Sequence, residues 1–232
     1  MDLSTFQTHT TLDTDTKSFF AKVFMWMWVA MAISWVLAWY VSQTPTIVDF
    51  IFSDRLYFYW FALIELWLVR YLTAKIKQLS LLTAQIMFVT YSAMNGVFLS
   101  VIFLVFQLNS IISIFWATTT IFIAMWWYWY TTNRDLTKIW NLAFTWLIGI
   151  IIWWLINLRL QNSMLDMVVT SIWVIIFVAL IAYDIQKLKQ WNTKGDEGTD
   201  NEQKEAIIWA LTLYLDFINL FLKLLRLFGK RK

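Results

Sequence analysis

Apolar residues run through this chain in long blocks separated by short polar stretches, with neither the alternation of a half-buried strand nor the single apolar stripe of a soluble helix. Seven blocks are long enough, or nearly so, for the roughly 20 residues that carry a helix across about 30 Å of hydrocarbon. They cover residues 19–41, 56–72, 79–106, 110–130, 139–158, 164–187 and 206–228. Glycine is scarce, and Pro45, the only proline, lies in the first loop, so nothing inside a block forces a kink. The fold expected is an all-α integral membrane protein with seven transmembrane helices. A single domain over 19–228 is preceded by a polar, disordered tail at 1–18 and followed by a basic tail at 229–232. The polar run "NTKGDEGTDNEQKE" at 192–205 is expected as a mobile loop inside that domain. The first block does not read as a signal peptide, because Asp2, Asp13 and Asp15 precede it and no small-residue cleavage site ends it.

Composition sharpens this reading. Hydrophobic residues make up 60% of the chain, charged ones 14%, and the mean hydropathy is +0.62, whereas soluble domains run nearer half apolar and a quarter charged. A water-soluble core of this size could not hide so much apolar surface, so lipid is the expected solvent. With no cysteine, disulfides and thiolate metal sites are excluded. The net charge of +3 falls mainly in loops and the tail, which suits a membrane surface and argues against nucleic acid. Placing the N-terminus in the cytoplasm puts Lys17, Lys22, Arg70, Lys75, Lys77, Arg134, Lys138, Lys187, Lys189, Lys194 and Lys204 on that side, against Arg55 and Arg159 opposite. The exception is the end of the chain, where Lys223, Arg226, Lys230, Arg231 and Lys232 fall outside unless the last helix re-enters.

The candidate chemistry is a carboxylate in the wrong solvent. In "ALTLYLDFINLFLKLLRLFG" (210–229), Asp216 sits near the middle of an apolar block, followed by Asn219, Lys223 and Arg226. An aspartate at a helix centre costs about 2.5–3.5 kcal/mol on insertion scales, so it must face other helices and find a partner. Asp184, near the end of the preceding block, is one candidate: the two helices are antiparallel, and a stagger of about two turns brings the carboxyls together. Such a pair cannot ionise twice at low cost, so it acts as a proton switch near neutral pH without histidine. His9, the sole histidine, lies in the N-terminal tail. Plainer roles compete: Asp184 as a helix-end partner of Lys187, Asp216 as a hydrogen-bonding anchor, Glu65 in a packing salt bridge with Arg70 or Arg226. Asn95 and Gly96 read as a helix–helix contact, Asp135 as a helix cap. Trp126, Trp127, Trp153 and Trp154 read as interfacial anchors, and Trp28 and Trp35 as lipid-facing bulk.

Three segments, "YLDFINLFLKLLRLFG" (214–229), "AYDIQKLK" (182–189) and "TTNRDLT" (131–137), resemble signature segments of the Bax inhibitor motif proteins. "SAMNGVFLSVIF" (92–103) and "FMWMWVAMAIS" (24–34) resemble the third and first helices of that family, so the match runs through the whole chain in order. The resemblance implies six helices around a central seventh and a pH-sensitive calcium leak in a membrane, here the bacterial plasma membrane. It implies a proton-sharing pair at Asp184 and Asp216, partnered by a basic residue that is usually arginine and here falls on Lys75. It also implies a second charged cluster at Glu65 and Arg226, whose further carboxylate is not evident. Calcium would be the permeant ion, held transiently by Asp184, Asp216 and Glu65, with no tightly bound cofactor. The partners implied are lipid, calcium and protons.

Two aspartates on late helices also suggest an intramembrane protease of the presenilin type. "LYLD" lacks the Gly-x-Gly-Asp turn that opens such a helix, and no proline follows Pro45, so an enzyme is not expected. Nor is there a Ser/His/Asp set, a His/Cys metal cluster or a phosphate-binding glycine loop. The rival function is an interaction protein: some bacterial relatives are linked to a membrane-anchored, ATP-dependent protease, and eukaryotic ones to death-regulating membrane partners. A partner-binding terminus should be ordered or amphipathic, and "MDLSTFQTHTTLDTDTK" is short and polar.

Overall fold

The computed structural model describes residues 3–52, 54–131, 163–191 and 199–232. Among them the chain is helical almost throughout: α1 (Leu3–Ser42), α2 (Pro45–Phe52), α3 (Arg55–Lys75), α4 (Leu81–Val105), α5 (Leu108–Thr131), α6 (Ser163–Trp191) and α7 (Asp200–Phe228). A single 3-10 turn (Ile76–Gln78) follows α3. Five stretches are long and apolar enough to cross a membrane: Ser18–Ser42, Leu81–Val105, Leu108–Trp127, Asp166–Leu188 and Asp200–Phe228. The protein is therefore an all-α membrane protein. The expected second span, α3, is 21 residues long, but Glu65, Arg70 and its tyrosines and tryptophans keep its hydropathy below that of the five. Its outward face still carries Tyr59, Trp60, Leu63, Leu66 and Trp67, all exposed, a surface that only lipid or a partner would cover. The expected fifth span, 139–158, lies outside the described residues, as do Arg134, Asp135, Lys138, Trp153, Trp154, Arg159 and Lys194.

Three local features depart from the sequence expectation. The polar N-terminal segment continues α1 back to Leu3, so it is not a disordered tail. The first loop contains α2, which starts at Pro45: a proline has its φ preset for a first helical turn and loses no hydrogen bond there. The carbonyl of Thr44 accepts from Ile47 N at 3.0 Å and Val48 N at 3.2 Å. The second half of the polar 192–205 run is not loop but the start of α7. Thr199 Oγ1 accepts from Glu202 N at 3.3 Å, and Asp200 and Glu202 lie in the first turn, where carboxylates suit the exposed N–H groups and the dipole.

The chain forms two compact units. One comprises Met1–Val105 with Asn192–Tyr214, the other Phe106–Trp191 with Leu215–Lys232, so α7 contributes to each. α7 is also the most buried span, with 61% of its most apolar window enclosed against 28–39% for the others.

In the first unit, α1 lies tight on α4 because small residues face each other. Ala30, Ser34 and Ala38 of α1 are buried, as are Ser92, Gly96 and Ser100 of α4. Ser34 Oγ sits 2.9 Å from Ala30 O, 2.7 Å from Ser92 O and 2.6 Å from Tyr214 Oη. Carbonyls only accept and serine has one proton, so when Ser34 donates to a carbonyl, Tyr214 donates to Ser34. One hydroxyl thus joins α1, α4 and α7. Phe61 of α3 meets Phe98 of α4 edge-on at 5.3 Å, and Lys22 of α1 pairs with the buried Glu202 of α7 at 2.9 Å. Trp35, expected as lipid-facing bulk, is half-buried and packs edge-on against Phe103 at 5.6 Å.

In the second unit, Phe217 of α7 packs against Phe115 and Phe122 of α5 at 5.5 and 5.2 Å. Val169 and Ile176 of α6 form a small core with Ile172, Trp173, Ala179 and Leu180. Beyond α7 the tail is fastened to the turn before α5. Gln107 N donates to Lys230 O at 2.9 Å, Gln107 Nε2 to Arg231 O at 3.1 Å, and Lys230 N to Ser110 Oγ at 3.1 Å.

Gly96 tests the α1–α4 packing directly. A Cβ there would lie 2.7 Å from the Ser34 carbonyl oxygen and 2.9 Å from Ser34 Cα, backbone atoms that cannot swing aside. Alanine is the better helix former by about 1 kcal/mol, yet Gly96→Ala should destabilise the protein by about 1–3 kcal/mol through overpacking. Thermal unfolding of the purified protein in detergent measures it, and a Tm equal to or above wild type would show that the helices are not locked at this point.

Candidate functional site

Asp184 lies in the last turns of α6 and Asp216 in the middle of α7, both within the second unit. Their carboxyl groups lie within hydrogen-bonding reach of each other. Asp216 is 9% exposed, and its Oδ2 has no hydrogen-bond partner among the described residues. Phe217, the next residue, packs against the α5 aromatics, and the Asp216 carboxyl is itself withdrawn from solvent. Lys187, one turn after Asp184, acts on it as a neighbouring charge, while its ammonium lies 5.9 Å from the Tyr183 ring centroid. The helix-end pairing with Lys187 is thus a charge contact, and the carboxyl within hydrogen-bonding reach is that of Asp216.

This arrangement has a direct chemical consequence. Two carboxylates are acceptors only, so a hydrogen bond between them requires a proton on one. A carboxyl pair this close can therefore hold a proton between its oxygens. Once deprotonated, the same oxygens are hard anionic ligands of the kind that calcium prefers. Among the described residues no group of three or more His, Asp or Glu side chains gathers as a metal cage.

Other candidate residues are distributed as follows. Lys75 closes α3 in the first unit, where it is exposed. Glu65, also on α3, is half-buried with Asn95 of α4 as a polar neighbour, and its Oε1 is buried with no partner among the described residues. Asn95 Nδ2 also donates to Tyr91 Oη at 3.3 Å. The Asn95–Gly96 dipeptide therefore divides its work: Gly96 makes the helix contact with α1, and Asn95 serves the carboxylate of α3. In the second unit Arg226 of α7 takes a carboxylate from within that unit. Its Nη2 lies 2.6 Å from both oxygens of Asp166, in the first turn of α6. Lys223, three residues earlier, stands 5.2 Å from the Trp173 ring centroid.

Sequence reasoning missed Asp166 and the Asn95 side-chain contact. A signal for Asp166 was present, since it is the one carboxylate between residues 136 and 183, at the start of an apolar block where a helix N-terminus favours negative charge. Its pairing with Arg226 had no signal in sequence spacing. Asn95 had none beyond being polar in an apolar segment.

Comparison with known proteins places these residues in a family context. A sequence model of the family described as "Inhibitor of apoptosis-promoting Bax1" matches residues 16–232. The chain is 42% identical to the inner membrane protein YbhL of Escherichia coli K12 over 217 residues, covering 93% of each. It is 39% identical over 216 residues to an uncharacterized protein of Borreliella burgdorferi, again covering 93% of each. It is also 34% identical over 232 residues to the uncharacterized protein RP147 of Rickettsia prowazekii, covering 99% of this chain and 97% of that one.

Because the chain has no cysteine, the carboxyl–carboxyl contact can be tested by cross-linking. Asp184→Cys with Asp216→Cys in one chain should form a disulfide under mild oxidation in membranes. Asp184→Cys with Arg226→Cys should not, because Arg226 lies ten residues further along α7, about 15 Å at the helical rise. Equal yields in the two pairs would mean that the aspartates do not face each other.

Proposed function

Since the chain belongs to the Bax inhibitor-1 family of multi-pass membrane proteins, we propose that it is a pH-sensitive calcium leak of the bacterial inner membrane, gated by Asp184 and Asp216. The observation that carries this reading is the close approach of the two carboxyls, with Asp216 withdrawn from solvent. Below the transition, the shared proton lets one carboxyl donate to the other, and α6 is held to α7. As pH rises the proton leaves, two negative charges face each other where screening is poor, and the contact opens. A calcium ion gains from the same oxygens, so calcium and protons compete for the pair. The sign follows: flux is low in acid and rises with pH. Glu65, with its buried unpartnered oxygen, is proposed as a further carboxylate on the route of the ion; Arg226, which the resemblance groups with it, pairs with Asp166 within the second unit. The family's basic partner of the aspartate pair falls on Lys75, and its part in the mechanism rests on that resemblance.

A second reading, a membrane-embedded protein that modulates a membrane-anchored protease or a stress-regulating partner, gains from one observation. The polar N-terminal segment is helical before the span begins at Ser18, which supplies the ordered terminus that partner binding calls for. Flux through the purified protein alone separates the two readings, since a modulator without a pore would pass no calcium.

The gating test is calcium entry into vesicles carrying wild type, Asp184→Asn or Asp216→Asn, from about pH 6 to about pH 8. Wild type should pass more calcium as pH rises. Each variant keeps the shape but leaves a single carboxyl, so each should lose the pH response, whether it settles open or closed. A response that survives intact in both variants would rule out the shared proton.

The charge bias of the loops supports a topology with the N-terminus and the segment before α7 in the cytoplasm and the chain end outside. Single cysteines at Thr199 and Lys232 should therefore label from opposite sides of intact cells. Labelling from one side only would mean that α7 re-enters instead of crossing.

A further inference from the structure

The α6–α7 pair carries a second polar contact, which the shared-proton reading leaves unused. Both oxygens of Asp166 lie 2.6 Å from the same Arg226 nitrogen, Nη2. An arginine fork ordinarily meets a carboxylate with two nitrogens, one to each oxygen. Here one nitrogen bisects the two oxygens, which is the position a bidentate cation takes on a carboxylate. Calcium sits there at about 2.3–2.6 Å from each oxygen, so Arg226 Nη2 occupies nearly the point in space that the ion would.

The surroundings suit an exchange. The two side chains retain 46% and 32% of their surface, so neither charge is stranded in a dry interior when the pair separates. Lys223, which stands over Trp173, acts electrostatically on the same cluster as Arg226 and Asp166. Two cations therefore face one carboxylate while the contact is closed, and the cluster repels further positive charge. α5, also in this unit, brings no Asp, Glu, Lys, Arg or His anywhere along Leu108–Thr131. Moving Arg226 away removes the net positive charge of the cluster and leaves Asp166 with Lys223 as its cation.

We propose that Asp166 is a binding site for a hard divalent cation, masked by Arg226: the arriving ion takes both carboxylate oxygens, Arg226 swings off, and the start of α6 is released from the end of α7. Water completes the coordination, so the site is weak and suits passage more than storage. The role in flux rests on the calcium-leak reading, whereas the binding itself does not.

The test uses the purified full-length protein in detergent at neutral pH, titrated with calcium chloride in a calorimeter. Arg226→Gln should bind calcium about tenfold tighter than wild type or better, about 1.4 kcal/mol or more. Arg226→Lys should stay near wild type, because a masking charge remains. Asp166→Asn combined with Arg226→Gln should lose the gain. Should Arg226→Gln fail to fold, spin labels at Met167→Cys and Leu227→Cys leave the cluster intact and report the separation of the helix ends, which calcium should increase. A failure of wild type to pass calcium in vesicles would count against the leak and leave these binding outcomes as they stand. An Arg226→Gln affinity equal to wild type, a gain that survives Asp166→Asn, or a label distance unmoved by saturating calcium would overturn the proposal.

Discussion

A polar group on a helix inside hydrocarbon has no water to fall back on, and leaving it unpaired costs several kcal/mol. In this protein that constraint decides how α7 is placed. In the first unit Tyr214 shares a hydrogen bond with Ser34, and in the second Asp216 lies beside Asp184. Each of these polar side chains of α7 thus has a polar neighbour within its own unit, and α7 is the most enclosed of the spans.

The same constraint separates the helices into those that carry chemistry and those that carry bulk. The α1–α4 contact is made by Ala30, Ser34, Ser92 and Gly96, whose small side chains let the backbones approach until a Cβ at Gly96 has no room. A close, rigid contact of this kind gives Asn95 a fixed position from which to meet Glu65 of α3. Large side chains such as Trp39, Trp67, Trp116 and Ile175 are turned outward and exposed, where lipid tails are the natural neighbours.

The basic end of α7 had stood as an exception to the charge rule for orientation. Much of its charge is accommodated locally. Arg226 is neutralised by Asp166, and Lys223 is placed over Trp173, so α7 presents less free positive charge than its sequence suggests. Past Phe228 the backbone is tied to Gln107 and Ser110, which turns the side chains of Lys230 and Arg231 outward.

What the sequence determined by itself was whatever depends on local composition. The spans could be read from hydropathy, because crossing lipid is a demand on consecutive residues. Asp184 and Asp216 could be singled out from the cost of a carboxylate in such a span, and the capping of α7 at Thr199 and Glu202 lies in the spacing of a run whose composition reads as loop. The tertiary structure alone decided which groups meet. Arg226 takes Asp166, Glu65 takes Asn95, and one serine hydroxyl joins three helices; none of these follows from spacing along the chain. Pairing between helices depends on their stagger and rotation, and those are set by side-chain packing between segments far apart in sequence, where a shift of one residue turns a helix by about 100° and presents a different partner.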